Sequence, residues 1–218
     1  MNIEFGYDTS TQTVTVPEER LLAVLEPGAF PPAAGSEEDL VRAALAAPIG
    51  APPLREVVHA GEKIVLVTSD ISRPMPTWKV MPAVLEELYA AGVQPEDITL
   101  VFARGVHRAH TDAERRHLAG EQAFSEITCI DSDPEDCLCL GTTRRGTPVE
   151  IMRTVAEADR RICLGNIEFH YFAGYSGGAK AIMPGVSTRS AIQTAWDKRD
   201  SKRNKAGRVV YRIWERGE

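Results

Sequence analysis

Three short polar clusters hold the residues of this chain that are able to do chemistry. The first is SDISRP, with Asp70 and Arg73 three positions apart. The second is GVHRAHT, with His107. The third is GNIEFHYFAGYSGGAKAIMPGV, with His170 ten residues before Lys180. Histidine titrates near neutrality, so two of them on opposite faces of one substrate carbon can pass a proton in either direction. Lysine is a point cation, or a nucleophile once water is removed from around it. The glycines at Gly174, Gly177 and Gly178 remove Cβ atoms, which lets backbone approach a large ligand and offers N–H groups to an anion. Every piece also has a plain reading. Asp70 and Arg73 can be a turn cap and a solvated charge, His107 and His170 can be hydrogen-bonded loop residues, and Lys180 can be a surface cation. The plain readings weaken only if these five side chains meet. A phosphate-binding loop is disfavoured, because Gly178-Ala179-Lys180 lacks the G-x-x-x-x-G-K-[ST] spacing and no strand runs into G-x-G-x-x-G. An unrelated phosphate-binding α/β enzyme therefore stands as a rival resting on the glycines alone. His59, His110 and His117 lie outside this company and read as structural.

What would bring the clusters together is the order of the elements that precede them. KIVLVTSD has four consecutive apolar residues, Ile64 to Val67, too short for a buried helix, which predicts a buried parallel strand. A helix follows over Thr77 to Ala91, closed by Gly92, and DITLVFARG supplies the next buried strand. Thr111 and Glu114 have capping-box spacing for a helix over Asp112 to Leu118, and Ser36 caps another in SEEDLVRAALAAP. SEITCID and RRICLGN read as further strands. Strand and helix in alternation predict an α/β fold, a doubly wound, mostly parallel sheet with helices on both faces, preceded by a short N-terminal β strand in TQTVTV. In such sheets ligands bind beyond the carboxyl ends of the strands. Each of the three clusters directly follows a predicted strand, so all three should fall on that one edge.

Composition narrows the class. A hydrophobic fraction of 43% with 26% charged residues is that of a globular protein. No apolar run is long enough to span a bilayer, the first residues resemble no secretory signal, and a cytoplasmic location is the expectation. A net charge of −6 argues against a nucleic-acid partner. Cys129, Cys137, Cys139 and Cys163 match neither a zinc-ligand pattern nor a small disulfide framework and read as reduced thiols. The charge is unevenly spread: residues 197–218 carry eight Lys/Arg against four Asp/Glu, and residues 1–196 carry seventeen against twenty-seven.

Taken together, SDISRP, GVHRAHT and GNIEFHYFAGYSGGAKAIMPGV resemble the N-terminal domain of the nickel-dependent lactate racemase family. The likeness covers residues 1–195, including AAPIGAPPL, and keeps the order and spacing of all three clusters. It implies interconversion of the enantiomers of a small 2-hydroxy acid. It also implies a nickel-pincer nucleotide, a pyridinium mononucleotide with two sulfur arms, tethered to Lys180 by a thioamide and accepting and returning a hydride. By the same likeness His107 and His170 are the acid–base pair, Asp70, Gly177 and Gly178 contact the cofactor, and Arg73 takes the substrate carboxylate, to which a guanidinium fork is suited. Two departures accompany the match. The family's nickel-ligating histidine falls at Trp196, whose indole has no lone pair to give a metal. The likeness further leads to the expectation that the family's second domain is missing and that residues 196–218 are a basic divergent tail. The expectation is therefore an isomerase of this type or, alternatively, a truncated, inactive or partner-dependent binding module completed by a separate C-terminal polypeptide.

Overall fold

In the computed structural model of the chain, which describes residues 1–25, 28, 34–73, 75–170 and 174–200, with side chains of the last helix described to residue 195, the N-terminal alternation forms a hairpin and not a lone strand. Strands β1 (Asn2–Tyr7) and β2 (Ser10–Thr15) pair antiparallel, from Asn2 opposite Thr15 to Tyr7 opposite Ser10. This hairpin belongs to a small unit that ends at Ala34.

The second unit begins with α1 (Glu37–Ala46), started by a capping box in which Ser36 and Asp39 satisfy each other's backbone N–H groups. A single turn, α2 (Leu54–Val57), leads into β3 (Ile64–Ser69), in which Ile64 to Val67 are at most 3% exposed. Helix α3 (Thr77–Ala90) follows and ends as the sequence suggests. Gly92 takes φ 84°, its N–H reaches Tyr89 O at 2.9 Å, and Val93 N–H reaches Leu88 O at 3.2 Å, a Schellman closure that a side chain at residue 92 would strain. Next come β4 (Ile98–Ala103), α4 (Asp112–Ala119) with its Thr111–Glu114 capping box, α5 (Glu121–Glu126) and β5 (Thr128–Asp131). An antiparallel hairpin of β6 (Cys137–Thr142) and β7 (Pro148–Met152) then intervenes before α6 (Arg153–Glu157) and β8 (Arg160–Cys163). The two-residue strands β9 (Phe169–His170) and β10 (Gly174–Tyr175) and helix α7 (Arg189–Asp200) complete the unit.

The main sheet has the order β5-β4-β3-β8, with every neighbouring pair parallel. From β3 the chain steps outward through β4 to β5 and returns to the other side of β3 as β8. The order therefore reverses between β3 and β8, and the crevice of an open α/β sheet opens beyond their carboxyl ends. One face of the sheet buries Leu66, Leu100 and Phe102 under Val84, Leu85 and Leu88 of α3 and under α4 and α5. The other face buries Val65, Val67 and Val101 under Ile151 and Met152 of β7, Val155 of α6 and Val186. Helix α7 extends that second layer with buried Ala191 and Ile192. Each fully buried aliphatic side chain is worth roughly 1.5–3 kcal/mol, so both layers hold the strand ends in fixed positions. At the end of β3 the buried hydroxyls of Thr68 and Thr77 meet at 2.6 Å and tie the strand to the start of α3. Among the described residues no helix is long and apolar enough to cross a membrane.

Candidate active site

Each of the three clusters sits at the carboxyl end of a parallel strand. Asp70 follows β3 directly, and its backbone C=O accepts from Arg73 N–H at 3.1 Å, which folds SDISR into a turn. His107 lies in the loop after β4. There His107 N–H bonds to Arg104 O at 2.9 Å, and Arg104 Nη1 donates to His107 O while its Nε donates to Ser132 O at 2.7 Å. His170, Gly177, Gly178 and Lys180 lie beyond β8, with Lys180 on a 3-10 turn, Gly178–Ala181.

These groups share a cavity of about 400 Å³ at the reversal between β3 and β8. Asp70, Arg73, His107, His170, Gly177 and Lys180 all line it, and Gly178 does not. The gathering on which the plain readings turned is therefore present. Arg189 and Gln193, on the first turns of α7, line the same cavity and were not singled out in the sequence; a helix directly after the glycine loop is the feature that could have pointed to them.

The internal bonding gives Asp70 a defined task. Its side chain is 5% exposed, Oδ2 accepts from His107 Nδ1 at 2.5 Å, and Oδ1 accepts from Ser72 Oγ at 2.8 Å. With Nδ1 held by the carboxylate, His107 keeps Nε2 as the nitrogen available to a ligand, in the manner of an acid–base histidine oriented by an aspartate. Asp70, expected at the cofactor, thus has both of its oxygens engaged inside the protein. Lys180 is half-buried, and its amine is held below the ordinary lysine value, first by loss of water around it and then by the nearby Arg73 guanidinium, against a smaller opposing pull from Glu168. A lowered amine carries more free base at neutral pH, which is the form that attacks an electrophile.

The glycines beside Lys180 serve close packing of backbone on backbone. Gly177 takes φ 74°, and a Cβ there would lie 2.8 Å from the Asn166 carbonyl oxygen, while one on Gly165 would lie 3.2 Å from Gly177 Cα. The Pro-Gly pair closes the other end. A Cβ on Gly185 would come within 2.1 Å of Ala181 O and 2.8 Å of Ala103 Cβ, and Gly185 O accepts the Gly105 N–H at 2.9 Å. The lysine turn is thus pressed against the strand ends.

One histidine that the sequence left as structural packs behind the Asp70 turn. His110 is buried, with its side chain 1% exposed, and it joins Asp131 at the end of β5 to the Asp70 turn. Its signal in the sequence was its position, three residues after His107 in the same strand-end loop. Among the described residues no group of three or more His, Cys, Asp or Glu is placed to hold a metal ion.

The family profile described as Lactate racemase N-terminal domain matches residues 7–207. The chain belongs to the lactate racemase family. The lactate racemase of Thermoanaerobacterium thermosaccharolyticum is 33% identical over 195 residues, covering 88% of this chain and 46% of that protein. That of Lactiplantibacillus plantarum is 30% identical over 194 residues, covering 87% and 46%. The solved structure of the lactate racemase apoprotein from Thermoanaerobacterium thermosaccharolyticum matches with a TM-score of 0.73 at 32% identity, over 88% of this chain and 45% of that one. The chain spans about half the length of the curated relatives it matches. Within that half lie all three clusters that this lactate racemase family chain gathers around its cavity.

Proposed function

We propose that this chain is the acid–base and cofactor-anchoring part of a lactate racemase-type isomerase acting on a small 2-hydroxy acid. The observation that carries the reading is the single cavity lined by Asp70, Arg73, His107, His170 and Lys180. His107 Nε2 and the His170 imidazole take and return the substrate's hydroxyl proton, Asp70 aims His107, and the Arg73 guanidinium receives the carboxylate. Isolated general acid–base residues contribute roughly 10²- to 10⁴-fold to rate.

The family's nickel-pincer nucleotide meets a divided set of residues. Its organic part fits, because Lys180 presents a partly desolvated amine on the cavity wall for the tether. Its metal does not fit as well: Trp196 stands where the family has a histidine ligand, and an indole has no lone pair to donate. Bound there, the group would supply an acceptor and donor of hydride, with Lys180 as the residue that would hold it. The residues of this chain account for binding, orientation and proton movement only. The Trp196 position also favours a second reading, a module that binds the cofactor or a 2-hydroxy acid without turnover.

The test combines the full chain with the C-terminal half of the Thermoanaerobacterium relative, supplied as a separate polypeptide alongside the cofactor-making enzymes. Interconversion of D- and L-lactate, lost in His107→Ala and in His170→Ala, is the expected result. Unchanged rates in either variant would remove that histidine from the chemistry. Intact mass adds a second readout: a covalent gain on the wild-type chain that is absent in Lys180→Ala supports the anchor, and a gain without racemisation selects the second reading.

A further inference from the structure

We infer that His110, fixed as the tautomer protonated on Nδ1, is the positioning residue that sets the Asp70–His107 pair. The tautomer follows from its neighbours. Ile71 N–H can only donate, and it points at His110 Nε2 from 3.1 Å, so Nε2 must be the unprotonated nitrogen. The single ring proton is then on Nδ1, 2.6 Å from Asp131 Oδ1, and Asp131 Oδ2 accepts the backbone N–H of the same His110 at 2.7 Å. Arg115 Nη1, 3.8 Å from that second oxygen, adds a cation behind the carboxylate. The ring is tilted against Phe102 with centroids 5.6 Å apart, and its side chain is 1% exposed.

The consequence for the site follows from which backbone group is held. Ile71 lies between Asp70, which holds His107 Nδ1, and Ser72, whose hydroxyl holds the other oxygen of Asp70. His107 and His110 leave β4 in one loop. A single buried imidazole therefore joins the ends of β3, β4 and β5 and sets the distance between Asp70 and His107. A metal-binding role is excluded by the same bonds, since both ring nitrogens are occupied. The importance of His110 to chemistry rests on the proposed acid–base role of His107, but its geometry can be measured without any turnover.

The experiment is a long-range ¹⁵N–¹H correlation spectrum of the histidine-labelled full chain at alkaline pH, where imidazoles are neutral and their tautomers are distinguishable. In the wild type both His107 and His110 should carry the proton on Nδ1. His110→Gln, whose side-chain amide can accept from Ile71 and donate to Asp131, should keep the Nδ1–H signature of His107. His110→Leu, which refills the space beside Phe102 without polar atoms, should shift His107 to the tautomer mixture of an exposed histidine while the far-ultraviolet circular dichroism is retained. A proton on Nε2 of wild-type His110 would overturn the inference, as would a folded His110→Leu chain with an unchanged His107 signal. If His110→Leu does not fold, the wild-type tautomer and His110→Gln decide. A folded His110→Gln chain that has lost the His107 signature also overturns it. Loss of the acid–base reading alone, from His107→Ala that still racemises, would leave these spectra unchanged.

Discussion

The hydroxyl pair that joins β3 to α3 offers a quantitative test of how the site edge is held. Thr68 and Thr77 are both fully buried, and each hydroxyl meets the other at 2.6 Å. Thr68→Val preserves shape but strands the Thr77 hydroxyl away from water, and Thr77→Val does the reverse. An unsatisfied buried polar group costs roughly 1–3 kcal/mol, whereas replacing both partners with apolar groups of the same shape is close to neutral. Each single variant should therefore lose about 1–3 kcal/mol, and the double variant should lose less than either alone. With the double variant close to neutral, the coupling obtained from the cycle approaches the sum of the two single losses, roughly 2–6 kcal/mol, and favours the pair. In a chain of this size each kcal/mol moves the melting temperature by about 2–4 °C, so the singles lie well outside measurement error. Urea unfolding of the four proteins, followed by circular dichroism, gives the cycle directly. Additive losses, with the double variant as unstable as the sum of the singles, would refute the idea that these hydroxyls satisfy each other.

Other residues give further tests. Gly185→Ala places a methyl 2.1 Å from a backbone oxygen and should cost about 1–3 kcal/mol or more by overpacking, whereas Gly6→Ala, with nothing within 4 Å, should cost nothing; equal urea midpoints for the two would contradict the packing seen at Gly185. Lys180 is lowered in the fold relative to the unfolded chain, so its charged form burdens the fold fully below its folded value. That burden is relieved as pH rises through the folded value toward the ordinary 10.5. Lys180→Met should accordingly raise the melting temperature at neutral pH by an amount that shrinks in alkali, and a gain that grows with pH would contradict it. Burial pushes the Cys129 thiol up to about 11, and Cys139 is exposed, so iodoacetamide at mildly alkaline pH should label Cys139 early and Cys129 late, as read by peptide mass. The reverse order would sink that assignment.

The elements whose reasons are local were legible in the sequence. Ser36 and Thr111 start helices because their side chains and the acidic residues three positions on satisfy backbone groups within one turn. Gly92 ends α3 because it tolerates φ 84°. The uninterrupted apolar runs became β3 and β4 because both of their faces are covered. The β6–β7 hairpin was not read, since CLCLGT and PVEIM alternate weakly and gain their burial from the far face of the sheet. The cavity lining was legible where residue type and a place after a strand marked it, at His107, His170, Lys180, Asp70 and Arg73. The candidate site was not legible where a side chain takes its place from a partner distant in sequence. His110 takes its place from Asp131, 21 residues on, and from Ile71, 39 residues back. The spacing of Gly177 gave no hint that its missing Cβ is filled by the Asn166 carbonyl.

The segment that carries the lysine is clamped directly after its turn. Met152 N–H bonds to Val186 O at 2.8 Å, Ile151 bridges Ser187, and Gly105 N–H holds Gly185 O. With its backbone fastened to two layers, Lys180 retains only the rotations of its own four-carbon stem. Anything bonded to that amine is on a short leash of fixed origin, free to swivel at its tip but unable to leave the strand ends with a moving loop.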